Sequence, residues 1–230
     1  MSYVTKMIAE GEHQQQDFKM RVEDARKIAK TLVAFANTDG GRLLIGVKDN
    51  GSVSGVSVEE EFHMIEAAAE LHCKPVVDFQ TQVWKSNFKS VLEVIVEPSL
   101  KKPHFAEDHD HEWHAYQRQD DRNVRANGVL LKVWQHQMTD GINDFHYTWK
   151  VRRLFKVLTE KGKLGFKKTS NILRMGRERT ENTLAQLVAW DILEMEFSDT
   201  GCFFRLKDEE KAHELDRQHA GQENKASSNL

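Results

Sequence analysis

The sequence predicts an α+β protein of two domains, a mixed sheet covered by helices followed by a small helical unit that closes on a β-hairpin. Three observations predict it. An amphipathic helix pattern runs through two glycines into an apolar strand, and two alternating apolar segments follow as a strand pair. Beyond a stretch poor in apolar residues, three short helix patterns then precede a second strand pair.

Between positions 20 and 36, Val22, Ala25, Ile28, Ala29, Leu32, Val33 and Ala36 recur at three- and four-residue spacing, with Arg21, Lys27 and Lys30 on the other side, which is an amphipathic helix. Asn37-Thr38-Asp39-Gly40-Gly41 ends it, because glycine tolerates left-handed backbone angles, and Leu43-Leu44-Ile45-Gly46-Val47 reads as a buried strand. Asp49-Asn50-Gly51 supplies a turn. Ser57 with Glu60 has capping-box spacing for a helix reaching about Leu71, which Pro75 prevents from continuing. Val77–Val83 and Val91–Val96 then form a strand pair turning around Ser86-Asn87, so the sheet has at least three strands. A charged loop from Lys101 to Glu112, a short strand from His114 to Arg118 and a helix from Val124 to Gln135 complete a first domain over residues 1–136.

Gln137 to Asp144 lapses into Thr, Asp, Gly and Asn, marking a linker over 137–149. In the second domain, 150–207, Val151, Leu154, Phe155 and Leu158 give one helix face ended by Gly162. Phe166 to Leu173 gives a second helix, Gly176 turns the chain, and a third helix from Arg179 to Trp190 carries Leu184, Leu187 and Val188 inward. Ile192–Phe197 and Cys202–Leu206 form a hairpin around Ser198–Gly201. Three helices, a short turn before the third, then a hairpin is the winged helix-turn-helix order. The polar tail over 208–230 is expected to be disordered.

Charged residues make up 30% and hydrophobic ones 39%, a globular balance. No apolar run approaches the roughly 18 residues of a membrane span, and the Met1–Lys6 start lacks a signal-peptide core, so a cytoplasmic location and no membrane partner are expected. Cys73 and Cys202 stand far apart without metal-ligand spacing, which argues against a disulfide framework or zinc finger. A net charge of −3 excludes attraction of nucleic acid by the chain as a whole, so any such binding must be local.

One local patch exists. Lys167, Lys168, Arg174, Arg177 and Arg179 cluster with only Glu178 among them, suited to phosphates. On the third helix Arg179, Asn182, Thr183 and Gln186 lie opposite Leu184, Leu187 and Val188, and such side chains can read base edges in a major groove. The alternative is a packing or dimerisation helix with solvated charges, and Glu178 and Glu181 oppose insertion beside phosphates. His104, His109, His111 and His114 sit among Asp108, Asp110 and Glu112, which a hydrophilic loop explains more simply than a metal site. Gly40 and Gly41 are not part of a Gly-x4-Gly-Lys-Ser/Thr phosphate loop, and a structural role is expected for them.

Glu12-His-Gln-Gln-Gln-Asp17-Phe18-Lys19, the helix end Ala36-Asn37-Thr-Asp-Gly-Gly41, the strand Leu44-Ile-Gly-Val-Lys-Asp49-Asn-Gly51, Lys102-Pro103-His104 and Tyr116-Gln117-Arg118 occur in an order that resembles the Schlafen AlbA_2 domain over roughly residues 8 to 135. The resemblance implies an α+β domain that binds DNA or RNA. In some members three carboxylates form a metal-dependent RNA-cleaving site, and Glu12, Asp17 and Asp49 are the matching positions, where Mg²⁺ or Mn²⁺ would activate water; Lys19 would contact phosphate or neutralise the cluster. Asp17 stands where the family has Glu, which shortens the reach by one methylene. A single copy of the domain further implies a homodimer. The readings that result are a DNA-binding transcriptional regulator, a metal-dependent endoribonuclease, and a protein-interaction adaptor.

Overall fold

A computed structural model describes residues 3–86, 88–138, 147–198 and 200–226. The chain forms two compact units, Met1–Ala126 and Asn127–Leu230.

In the first unit α1 (Tyr3–Glu10) leads to β1 (Gln16–Lys19), α2 (Ala25–Asn37), β2 (Gly41–Ile45), α3 (Val58–Leu71) and the short β3 (Cys73–Lys74). The hairpin β4 (Gln80–Ser86) and β5 (Lys89–Val96) follows, then β6 (Phe105–Glu107), β7 (Trp113–His114), β8 (Tyr116–Gln119) and β9 (Arg122–Arg125). The main sheet has the order β1-β2-β5-β4, with β1 parallel to β2 and the other pairs antiparallel. Its central strand β2 buries Leu43, Leu44 and Ile45 because both faces are covered. Leu43 and Ile45 join Leu32, Phe35 and Ile65 of α2 and α3, whereas Leu44 meets Val4 and Met7 of α1. Helix α2 starts at Asp24, whose carboxylate accepts the Arg26 N–H at 2.9 Å.

The sheet meets the expectation of at least three strands and adds a fourth, β1, from the start of the chain, which also holds α1. Other expectations are corrected. Ser57 makes no side-chain cap at α3; Glu61 instead points inward and accepts the Val22 N–H at 2.8 Å. The helix expected over 124–135 divides: Arg122–Arg125 is strand, and the helix α4 (Gly128–Met138) belongs to the second unit, where Val129 and Val133 enter the core. The Asn127 side chain accepts the Leu130 N–H at 2.9 Å and so starts α4 one residue past the junction. The first unit therefore ends at Ala126 rather than 136, and of the expected linker residues 139–146 lie outside the described residues.

The second unit continues with α5 (Trp149–Lys161), β10 (Lys163–Gly165), α6 (Phe166–Leu173), α7 (Arg177–Ala189), the hairpin β11 (Leu193–Ser198) and β12 (Gly201–Leu206), and α8 (Glu209–Ala226). Its sheet has the order β10-β12-β11, antiparallel throughout. Leu154, Leu158, Leu173, Leu184, Leu187 and Phe204 form the core. The segment expected to be disordered from Asp208 onward is helix α8: Asp208 accepts the Lys211 N–H, Ala212 is buried, and Asp216 accepts from Tyr147 and Arg152. Polar composition hid this because only one narrow stripe of the helix meets the core.

Candidate nucleic-acid interface

Strand β1 presents Asp17 beside Leu43 of β2. Asp17 is 4% exposed, and both its oxygens are held by cations: Oδ1 by Arg118 Nη2 at 3.2 Å, Oδ2 by Lys19 Nζ at 2.9 Å. Arg118, on β8, is itself buried; it also donates to the Gln16 carbonyl at 3.1 Å and to Asn123 Oδ1 at 3.0 Å, and its guanidinium stacks over the Phe35 ring. Glu12 accepts the Phe18 N–H at 2.9 Å. Burial, reinforced by the Asp17 carboxylate beside it, holds the Glu12 carboxyl above its usual range, against the opposing pull of the Phe18 N–H and Lys19.

The structure thus brings Glu12, Asp17 and Lys19 together but leaves Asp49 exposed in the Lys48–Ser52 turn. Among the described residues no three Asp, Glu, His or Cys side chains converge as a metal site would need. Of the set implied by the resemblance, Glu12 and Asp17 lie together, each Asp17 oxygen is paired with Arg118 or Lys19, and Asp49 lies apart. Sequence reasoning met Arg118 only as part of the Tyr116-Gln117-Arg118 motif and gave it no role at the site. Its signal was the alternation of Tyr116 and Arg118, which both face inward on β8.

The motif that identifies the sequence is architectural. Asn37 is 1% exposed; its Nδ2 donates to the carbonyls of His104 and Tyr116, each at 2.9 Å, and its Oδ1 accepts the His104 N–H at 2.7 Å. Thr38 Oγ1 donates to the Ala34 carbonyl and accepts the Arg118 N–H at 2.8 Å. A methyl group at Gly41 would lie 2.6 Å from the Phe35 ring, and one at Gly40 would lie 2.7 Å from the Val96 carbonyl, so close packing rather than a ligand requires both glycines.

The histidine loop is likewise tied down by carboxylates. Glu107 accepts from His111 at 2.7 Å and His72 at 2.8 Å and faces Arg26; the hydrogen bonds from His111 and His72 hold its pKa down at about 2. His109 pairs with Asp24 and His114 with Asp108. His104 stands apart, buried, with Nδ1 donating to the Pro75 carbonyl at 3.0 Å and Nε2 hydrogen-bonded to Ser99 Oγ at 2.7 Å, and burial holds its pKa below the usual histidine value.

In the second unit Lys167, Lys168, Arg174, Arg177 and Arg179 are all exposed. They gather because α6 ends on Arg174 in the left-handed conformation (φ 49°), and only Met175 and Gly176 separate it from α7. Arg177 pairs with Glu181 at 2.9 Å, whereas Lys167, Lys168, Arg174 and Arg179 have no acidic partner among the described residues. Over residues 147–180 eleven Lys and Arg face only Glu160 and Glu178. The Glu181 side chain is 13% exposed and packs on Gly128 so tightly that a methyl group there would lie 2.3 Å from it. Its pairing with Arg177 offsets the repulsion expected between Glu181 and phosphate.

Two of the expected base readers change standing. Gln186 is 4% exposed and cannot reach a groove; α4 packs along α7, an interaction invisible while α4 was assigned to the first domain. Thr183 is half-buried and donates back to the Arg179 carbonyl at 2.8 Å. Arg179 remains exposed and Asn182 half-exposed.

No curated protein matches the chain. Among solved structures, the DIP2311 protein of Corynebacterium diphtheriae is 17% identical at a TM-score of 0.42, over 84% of this chain and 34% of that one. The N-terminal domain of a RecG-related protein from Nitrosomonas europaea is 20% identical at a TM-score of 0.36, over 64% of this chain and all of that domain. The chain thus spans about a third of DIP2311. The sequence model of the Schlafen, AlbA_2 family matches residues 12–127, ending where the first unit meets α4. That match takes in the Glu12–Lys19 stretch, the Asn37–Gly41 helix end and Arg118, and on it the chain belongs to the Schlafen, AlbA_2 family.

Proposed function

We propose that this protein binds nucleic acid, and duplex DNA in particular, as a regulator, with the second unit acting as a winged helix-turn-helix module and the AlbA_2 domain adding contacts. The observation that carries the reading is the set of four exposed cations, Lys167, Lys168, Arg174 and Arg179, on α6, the turn after it and the start of α7, with no acidic partner among the described residues. Support for the module comes from its order of elements, α5, β10, α6, α7, β11 and β12, and from the three-residue turn containing Gly176. In this reading α7 is the recognition helix. Its outward cations neutralise phosphates, and Arg179 with Asn182 supplies the donors suited to base edges, while Gln186 is a core residue.

Binding without cleavage fits the first unit better than a metal-dependent endoribonuclease does. Each oxygen of the buried Asp17 already pairs with a cation, Arg118 or Lys19, which a metal ion would have to share or displace, and Asp49 does not join it. The test is fluorescence anisotropy with labelled duplex DNA and RNA, run alongside a cleavage assay with Mn²⁺, Mg²⁺ or EDTA. Binding of intact duplex that weakens in Lys167→Gln/Lys168→Gln/Arg174→Gln/Arg179→Gln is expected. Metal-dependent cleavage lost in Asp49→Ala would overturn the reading in favour of the nuclease, and no binding even at low salt would leave the adaptor.

A further inference from the structure

Building on the reading of the second unit as a nucleic-acid-binding module, we propose that its phosphate-contacting surface runs from the α6–α7 turn onto the first turn of α5, and that the β11–β12 hairpin, the wing, stays off the duplex. Helix α5 divides its cations between two sides. Arg152 turns to Asp216 of α8, and Lys156 lines the groove beside that helix. Lys150 lies on the other side, where its Nζ donates to the Arg174 carbonyl at 3.4 Å, so the start of α5 abuts the α6–α7 turn. Arg153 follows Lys150 by three residues and is its neighbour on the helix surface. It is exposed, and neither residue has an acidic partner among the described residues. The basic surface of Lys167, Lys168, Arg174 and Arg179 therefore continues through Lys150 to Arg153.

The hairpin has the opposite character. In and beside its sheet each cation is held by a carboxylate, Lys163 by Glu196, Arg205 by Glu194 and Lys207 by Asp191. Exposed pairs of this kind are worth little singly and would not by themselves keep a cation from phosphate. The excess charge does. Residues 191–208 carry five carboxylates against Arg205 and Lys207, whereas over 147–180 cations outnumber carboxylates eleven to two. A duplex approaching the hairpin meets net negative charge, so its phosphates are drawn to α5, α6 and α7 and repelled from the wing.

The test is the slope of log affinity against log salt concentration for duplex DNA, measured on the full chain by fluorescence anisotropy. Lys150→Gln/Arg153→Gln should flatten the slope by about 2, at about 0.9 for each phosphate contact. Asp191→Asn/Glu194→Gln/Arg205→Gln/Lys207→Gln strips two cations and two carboxylates from the hairpin at constant net charge, and should leave slope and affinity as in wild type. Circular dichroism of each variant checks that the fold is kept. A wild-type slope in Lys150→Gln/Arg153→Gln, or a slope flattened by about 2 in the hairpin variant, would overturn the proposal while leaving the module a nucleic-acid binder. Absence of duplex binding at low salt, or full binding by Lys167→Gln/Lys168→Gln/Arg174→Gln/Arg179→Gln, would overturn the nucleic-acid reading of α6 and α7 and this proposal with it.

Discussion

Asn37→Ala should unfold the first unit selectively. The asparagine side chain makes three hydrogen bonds inside the fold, two as donor to the carbonyls of His104 and Tyr116 and one as acceptor from the His104 N–H. Alanine leaves all three backbone groups buried without partners. Each orphaned group costs about 1–3 kcal/mol, and because some of that is recovered by relaxation or an entering water, the whole loss should be about 3–5 kcal/mol. A domain has only about 5–15 kcal/mol to lose, so the effect is a large share of its stability. Asn37→Asp should be no better, because its carboxylate would face the same two carbonyl oxygens. The assay is urea unfolding of the full chain followed by hydrogen-exchange mass spectrometry, which separates the amides of β2 and β5 from those of α5 and α7. A loss below about 1 kcal/mol in the first unit, or an equal loss in both units, would refute the view that this asparagine ties α2 to β6 and β8.

Three further outcomes are expected of the same chain. Arg118→Met should cost the first unit about 3–5 kcal/mol, because it strips Asp17 of a buried partner and the Gln16 carbonyl of a donor; urea midpoints check this. Gly41→Ala should cost about 1–3 kcal/mol by forcing a methyl group against Phe35, whereas Gly162→Ala, with open space at φ 76°, should cost only the backbone strain of about 1–2 kcal/mol. His104 is kept neutral by burial, so its folded pKa lies below the usual histidine value and the unfolded chain takes up the proton first. Its contribution is therefore present above about pH 6.5 and lost as pH falls through that value, and the gap in unfolding midpoint between wild type and His104→Gln should narrow from about pH 8 to about pH 5.5.

Much of this was legible in the sequence because local pattern and burial agree. The 3.6-residue spacing through Ile28, Leu32 and Phe35, the glycine pair and the apolar β2 all report one buried face. What escaped was decided by distant partners. Gln16 to Lys19 looks polar, yet it is a buried strand because Arg118, some hundred residues on, satisfies its carbonyls and Asp17. Gln186 sits on the polar side of α7 by periodicity alone, yet it is buried in a helix against which α4 packs. The basic residues of α6 and α7 could be read directly, since exposed charges need no partner to be found, but the inward turn of Glu181 depends on the absence of a side chain at Gly128.

The most direct test of the nucleic-acid reading is the salt dependence of duplex binding, measured for wild type and for Lys167→Gln/Lys168→Gln/Arg174→Gln/Arg179→Gln. Each phosphate contact contributes about 0.9 to the slope of log affinity against log salt concentration, so loss of four contacts should flatten the slope by about 3–4. A slope flattened by that amount supports α6 and α7 as the interface; an unchanged slope and affinity would contradict it.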